Sequence, residues 1–273
     1  METRISRVIT IGLSDPIGIN GVQADLKTFS AFGVHGASVI TGVMTGSGTK
    51  MIDPVDVASQ LDMAVAESGA DAIKIGALGN SDVAEVVAGK VAKLGITNIV
   101  IDPSPILSEH TDDEAATDEN IVAYLKSSLL PLGGVAVVDI PECKLITGLT
   151  IKNAMGMKAA GKLIHRMGAR CVVVSGSELG DEECIDYMFD GEKYFELPSE
   201  RIETPFTRGS GAAYSAAITA GLAYGRSVEE AAAVAKMYIT EALATAYSLE
   251  NETGSIRHLY AWWEAGGSRG YGG

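Results

Sequence analysis

Arg7-Val8-Ile9-Thr10-Ile11-Gly12-Leu13, then Ser14-Asp15-Pro16-Ile17-Gly18-Ile19-Asn20-Gly21, then the stretch Gly21–Phe32, set the architecture of this chain. The first run is apolar almost throughout, as a strand covered on both faces must be. The second is rich in turn formers, and the third carries apolar residues at helical spacing. A second apolar run, His35–Val43, completes a β-α-β unit. The rhythm then continues: Pro54–Ser68 reads as helix, Ala70–Ile75 as strand, Asp82–Leu94 as helix, Asn98–Ile101 as strand and Thr117–Leu130 as helix. Val135–Val138 reads as strand, Ala154–Met167 as helix and Cys171–Val174 as strand. Apolar strands separated by helices predict an α/β fold with a mainly parallel central sheet and helices on both faces. Asp190-Gly191, between Ile185–Phe189 and Lys193–Phe195, signals a hairpin and hence an antiparallel addition at one edge. Helices over Gly211–Tyr224 and Val228–Ser248 close a single domain spanning 1–265, and the tail Gly266–Gly273 is expected to be disordered.

Composition narrows the function classes. A chain of 273 residues, 47% hydrophobic, is long enough to bury one large core. A net charge of −14 leaves no basic face to neutralise a nucleic-acid backbone. The three cysteines, Cys143, Cys171 and Cys184, lack metal-type spacing, which argues against a disulfide framework or zinc site and fits a reducing cytoplasm. No long apolar segment opens the chain, so neither a signal peptide nor a membrane span is expected.

The strongest chemical signal is Thr207-Arg208-Gly209-Ser210-Gly211-Ala212, which opens a long helix of small residues. Glycines let the backbone approach a ligand, and the first amides of a helix present N–H groups to an anion. Phosphate is the expected guest. Nothing at Ala212 can take a proton. In open parallel sheets, ligands sit beyond the carboxyl ends of the strands, which draws attention to Asp15, Asp102 and the pair Asp139 and Glu142. That pair can hold a hydrated divalent cation, or it can be the N-cap and first turn of a helix. Asp15 can bond a ligand or form an Asx turn ahead of Pro16, and Arg208 can clamp phosphate or serve as a surface ion-pair residue. Met44 and Met155 are expected to pack, the four histidines are isolated, and His110 sits in an acidic insertion, Ser108–Ala116.

These pieces occur in a familiar order. Val22-Gln23-Ala24-Asp25-Leu26-Lys27-Thr28-Phe29-Ser30-Ala31-Phe32-Gly33 and Ser38-Val39-Ile40-Thr41 resemble the start of hydroxymethylpyrimidine/phosphomethylpyrimidine kinases. The similarity continues through Lys74-Ile75-Gly76-Ala77-Leu78-Gly79, Ile101-Asp102-Pro103, Leu145-Ile146-Thr147-Gly148, the glycine cradle and Ala235-Lys236-Met237-Tyr238. The resemblance implies a three-layer ribokinase-like fold, related to pyridoxal kinases. It also implies ATP-dependent phosphoryl transfer, with Mg2+, to the hydroxymethyl group of a pyrimidine or pyridine or to its phosphate, in a cytoplasmic homodimer of the thiamine-biosynthetic type. Under it, Gly209, Ser210, Gly211 and Ala212, with Arg208, form the catalytic cradle. Asp15, Gly18, Asn20, Gly21, Asp25, Val43, Gly46, Ala77 and Ser104 surround the acceptor. Asp139, Ser175, Ser177 and Thr207 face the nucleotide, and Asp102 and Glu142 face the metal.

The departures fall at the site. Members of this family usually read Thr-His-Gly-Thr-Gly-Cys at the cradle, the last residue or an Asp being assigned as the base; this chain has Arg208, Ser210 and Ala212. Ile17-Gly18-Ile19-Asn20-Gly21 stands for Ser-Gly-Gly-Ala-Gly, Gly46 for a glutamine, Ala77 for a methionine, and Ser175-Gly176-Ser177-Glu178 for Lys-Gly-Gly-His. Three readings stay open: a working kinase with altered acceptor, a non-catalytic relative that binds a nucleotide or phosphorylated ring, and a pyridoxal kinase or wider superfamily sugar or nucleoside kinase.

Overall fold

The computed structural model describes residues 4–103, 119–180, 183–250 and 253–265. In chain order the elements are β1 (Arg7–Ser14), α1 (Gly21–Ala31), β2 (His35–Thr45), β3 (Gly48–Met51), α2 (Pro54–Ser68), β4 (Ala72–Ile75), α3 (Ser81–Val91) and β5 (Ile99–Ile101). There follow α4 (Glu119–Tyr124), β6 (Val135–Val138), α5 (Ile140–Thr147), α6 (Ala154–Arg166), β7 (Cys171–Val174), β8 (Asp186–Phe189) and β9 (Tyr194–Leu197). Last come α7 (Ser210–Ala223), α8 (Val228–Ala244), β10 (Tyr247–Ser248), β11 (Gly254–Ser255) and α9 (Tyr260–Glu264).

Nine strands form the main sheet in the order β3-β2-β1-β4-β5-β6-β7-β8-β9. The middle, from β2 to β7, is parallel. Every residue of β4, β5, β6 and β7 is buried, which is why these strands read as apolar runs, interrupted only by Lys74 in β4. On one face Leu61 of α2, Val87 of α3 and Ile164 of α6 pack with Ile9, Ile73 and Val172. On the other, α1, α7 and α8 cover Val8, Val100, Val135 and Val173. The expected layers are therefore present.

The hairpin at Asp190-Gly191 forms as expected: Asp190 Oδ1 accepts the N–H groups of Glu192 and Lys193, both at 2.8 Å, and Gly191 takes a left-handed φ of 101°. The expected antiparallel addition is present at the β8–β9 edge, and the sheet carries a second one that was not expected, since β3 pairs antiparallel with β2 at the opposite edge. Two polar or glycine residues begin β3, so its alternation is too short to register as a strand. The helix expected to Leu130 is described from Glu119 and loses α-helical pitch after Tyr124, passing through a π turn, Leu125–Leu129, and a 3-10 turn, Leu130–Leu132. Pro131 removes a backbone donor there. The last long helix stops at Ala244 rather than Ser248, since Tyr247 and Ser248 leave it to pair with Ser255 and Gly254. Met155, expected to pack, is 79% exposed. Ser104, the insertion Ser108–Ala116 and the tail Gly266–Gly273 lie outside the described residues.

Candidate active site

Gly209 is the N-cap of α7 and adopts φ 82°, a left-handed conformation. A Cβ at this position would stand 2.0 Å from the Ile19 carbonyl oxygen, so the turn requires glycine twice over, for conformation and for space. Gly211 is the reverse case: a Cβ there would meet nothing within 4 Å, and the residue lies on the wall of a cleft. No side chain caps α7. Its first turn therefore offers backbone N–H groups, with the positive end of the helix dipole behind them, to an anion.

The loop that Gly209 touches is held by Asp15. One carboxylate oxygen accepts the Ile17 N–H at 2.9 Å, and the other accepts those of Ile19 at 3.2 Å and Asn20 at 2.9 Å. Asp15 is buried and organises its own loop, the Asx-turn arrangement. Gly21, at φ 60°, closes the loop where a Cβ would fall 2.2 Å from the Leu13 carbonyl. Ser14, which leads into the loop, pairs with Val43 across β1 and β2, and the Ala77 carbonyl just beyond β4 accepts the Thr41 hydroxyl at 2.8 Å. Asp15, Gly18, Asn20, Gly21, Val43 and Ala77 are thus collected at the carboxyl ends of three neighbouring strands. Gly46 stands apart, exposed on the turn joining β2 to β3.

Asp25, expected beside the acceptor, is instead enclosed. Its Oδ1 lies 2.5 Å from Lys74 Nζ, and its Oδ2 accepts the Thr10 hydroxyl at 2.6 Å. Lys74 is only 2% exposed; its ammonium also stands 3.3 Å from Asp102 Oδ2 and donates to the Ala212 carbonyl at 3.0 Å. Ser215 Oγ donates to the same Asp102 oxygen at 2.5 Å. Burial works against the Lys74 charge, but the two carboxylates outweigh it and hold the ammonium above its ordinary pKa. One buried cation thereby joins α1, the end of β5 and the first turn of α7.

On the far side of the cradle is a cleft of about 360 Å3. Asp102, Asp139, Glu142, Ser175, Ser177, Thr207, Ser210 and Gly211 all line it, so the candidates for metal and nucleotide are brought together with the cradle. Asp139 and Glu142 form a capping box on α5: Asp139 Oδ1 accepts the Glu142 N–H and Glu142 Oε2 accepts the Asp139 N–H, both at 2.8 Å. One oxygen of each carboxylate is engaged in that way. The helix-start reading of this pair is therefore what the backbone adopts, on the wall of the cleft. Among the described residues no group of three or more His, Cys, Asp or Glu side chains is arranged to hold a metal.

With the geometry in place, kinship can be judged. A family model described as phosphomethylpyrimidine kinase matches residues 15–257. The chain belongs to the phosphomethylpyrimidine kinase family. It is 36% identical over 265 residues to a hydroxymethylpyrimidine/phosphomethylpyrimidine kinase of Rhizobium meliloti, covering 94% of this chain and 98% of that one. The fold is similar to Bacillus subtilis pyridoxal kinase in an ADP complex, with a TM-score of 0.87 and 33% identity over 93% of this chain and 98% of that one. It is also similar to Staphylococcus aureus pyridoxal kinase in complex with AMP-PCP and pyridoxal, with a TM-score of 0.85 and 25% identity over 94% of each chain.

Several residues at the site of this phosphomethylpyrimidine kinase relative were not singled out from sequence. Lys74 is one, although a lysine inside the buried run Ala72-Ile73-Lys74-Ile75 is a signal in itself, because a buried charge needs partners. Lys236, on the buried side of α8, reaches Asp186 Oδ1 at 2.9 Å and Cys184 Sγ at 3.4 Å within the cleft. Arg201 donates to the Ser177 carbonyl at 2.8 Å and to the Leu179 carbonyl, tying down the loop that replaces the family's Lys-Gly-Gly-His. Gly176 anchors the same loop by donating to Asp186 Oδ1 at 2.9 Å, and a Cβ there would fall 2.1 Å from the Ile185 carbonyl. These contacts join residues far apart in sequence, and no local spacing announces them.

Proposed function

We propose that the protein transfers the γ-phosphoryl group of ATP to the hydroxymethyl group, or to the phosphate ester, of a substituted pyrimidine or pyridine. The observation that carries this reading is the seat of Gly209 on Ile19. It makes one glycine turn the common wall between the acceptor loop and the cleft that holds Ser175, Ser177 and Thr207. Phosphoryl transfer demands positioning and neutralisation of the equatorial oxygens more than covalent chemistry, and the uncapped first turn of α7 supplies oriented N–H donors for that purpose. Lys74 fixes the carbonyl of Ala212 and so holds the turn in register with the sheet.

The acidic lining bears on the metal. Asp102, Asp139, Glu142, Glu178, Asp186 and Glu200 face the cleft against Lys236 and Arg201. A polyphosphate enters such a lining only with its charge offset. An oxygen-rich wall without a three-ligand cage fits hydrated Mg2+, which prefers one or two carboxylates plus substrate phosphates. Asp102, Asp139 and Glu142 would hold it, and when bound it supplies charge neutralisation on the phosphates. By likeness to its family, the protein works as a homodimer in the cytoplasm. The direct test is ADP formation from ATP-Mg2+ with hydroxymethylpyrimidine, its phosphate and pyridoxal; nucleotide binding without ADP release from any of them overturns the reading. That outcome would favour the second reading, a binding protein without transfer, for which Ala212 at the base position is the supporting observation.

A further inference from the structure

We propose that Cys184 is a modification site: its thiol exchanges with a compact zwitterionic disulfide of the cystine type, and the mixed disulfide closes the cleft to nucleotide until a reductant removes it. The proposal rests on the kinase reading above only in taking that cleft as the nucleotide's.

The three cysteines differ in what surrounds them. Cys143 and Cys171 are buried in the core, and burial raises the pKa of both thiols, so they are protonated and out of reach. Cys184 is half-buried, outside any disulfide and on the wall of the cleft. Its backbone is fastened to Ser199, the Cys184 N–H donating to the Ser199 carbonyl at 2.9 Å and the Ser199 N–H to the Cys184 carbonyl at 3.1 Å. The thiol is therefore presented from a fixed rung. Lys236 Nζ stands 3.4 Å from its sulfur, so a thiolate formed there lies against an ammonium, the kind of setting in which thiolates attack.

Tyr214 points to a ligand independently of the cysteine. Its side chain is 4% exposed, it lines the same cleft, and its hydroxyl lies near Asp186 and Cys184 with no hydrogen-bond partner among the described residues. A buried donor left unpaired is costly, and beside an ammonium it suits an oxygen acceptor brought in from outside. Glu200, next to the Ser199 rung, adds a carboxylate to the lining. Lys236 and Tyr214 for a carboxylate, and Glu200 for an ammonium, make a lining that matches the two ends of an α-amino acid.

In the exchange, the Cys184 thiol gives its proton to water and the thiolate attacks one sulfur of the disulfide. A new S–S bond forms to Cys184, the old one breaks, and its electron pair leaves on the second half as a thiolate. The small disulfide is the oxidant, and a small thiol reverses the step. The adduct extends into a cleft of about 360 Å3 whose wall also includes Ser175, Ser177 and Gly211. It lies against Lys236, whose other bond runs to Asp186 Oδ1, the oxygen that holds the Gly176 N–H at 2.9 Å. Adduct and nucleotide therefore exclude each other. A glutathione half is larger and carries net negative charge toward a lining of six carboxylates, whereas a cysteine half carries none.

The test incubates the reduced full chain with cystine and follows the adduct by mass spectrometry, with and without ATP-Mg2+. One cysteine adduct should appear on Cys184, and ATP-Mg2+ at about ten times its Kd should slow it about tenfold, since only the unoccupied fraction reacts. The modified chain should bind ATP-Mg2+ at least about tenfold more weakly by calorimetry, and dithiothreitol should restore it. Glutathione disulfide should react about tenfold more slowly than cystine. Cys184→Ser should take no adduct, and its ATP binding should be indifferent to cystine. Tyr214→Phe, which keeps the packing, should slow the reaction with cystine and leave that with hydroxyethyl disulfide, which brings no carboxylate, unchanged. No adduct on Cys184, or an adduct that leaves ATP affinity as it was, overturns the proposal. Glutathione disulfide reacting as fast as cystine, or Tyr214→Phe slowing both small disulfides alike, overturns the class of disulfide assigned to the site. ADP formation by the reduced chain is scored separately: its absence with every acceptor overturns the kinase reading, whereas an unreactive Cys184 in a chain that turns over overturns this proposal alone.

Discussion

His258 shows how much one side chain can set. It is buried, its Nδ1 lies 3.1 Å from the Thr28 hydroxyl, and its Nε2 has no hydrogen-bond partner among the described residues. Burial, with a smaller contribution from Lys27, pushes its pKa down to about 4 from 6.5. Because the folded state disfavours the charged imidazolium, the stability held by neutral His258 is complete above about pH 6.5 and is lost as pH falls through about 4. The full effect is on the order of 3 kcal/mol. Thermal melts between pH 4 and 7 should fall steeply on the acid side, and His258→Gln should flatten that slope. Gly209 is the second position where one residue decides. Gly209→Ala introduces a Cβ against the Ile19 carbonyl in a left-handed backbone, a cost of at least about 2 kcal/mol, readable as a lowered denaturation midpoint together with loss of turnover.

Among the elements, α7 and β4 depend on each other through Lys74. Lys74→Met would leave Asp25 and Asp102 buried without their cation, and breaking a buried pair in this way costs about 3–5 kcal/mol. Chemical denaturation should register that loss. The double replacement Lys74→Met with Asp25→Leu should recover part of it, because only Asp102 then lacks its counter-ion. Element identity was largely legible in the sequence for a physical reason. β5 through β7 are buried on both faces, so their composition alone marks them, and Asp190-Gly191 makes the turn that its residue types demand. β3 was not legible, since pairing with β2 rather than its own four residues makes it a strand. The site was half legible. Glycines constrained by backbone geometry announce themselves, whereas Arg201 and Lys236 matter through contacts that only the tertiary fold creates.

For the whole molecule, the charge balance governs how a nucleotide can enter. The chain carries a net charge of −14, and the cleft lining repeats that bias with six carboxylates, Asp102, Asp139, Glu142, Glu178, Asp186 and Glu200. Chelating divalent ions should therefore weaken ATP binding by at least about tenfold, roughly 1.4 kcal/mol, as measured by calorimetry with and without EDTA. The Arg201 ties should make the loop over 175–180 a fixed wall of that cleft, and Arg201→Ala should raise KM for ATP while leaving the melting temperature within a few degrees.

The bond from Lys74 to the Ala212 carbonyl has a consequence in time as well as in energy. A helix terminus ordinarily frays, and its amides trade hydrogen with solvent through small local openings. Here the terminus is fastened to a cation that cannot be released without exposing two carboxylates in the interior of the sheet. The amides in the second turn of α7 should therefore exchange at the rate of global unfolding, as slowly as those of β4, and an anion bound at the turn would find its donors already assembled.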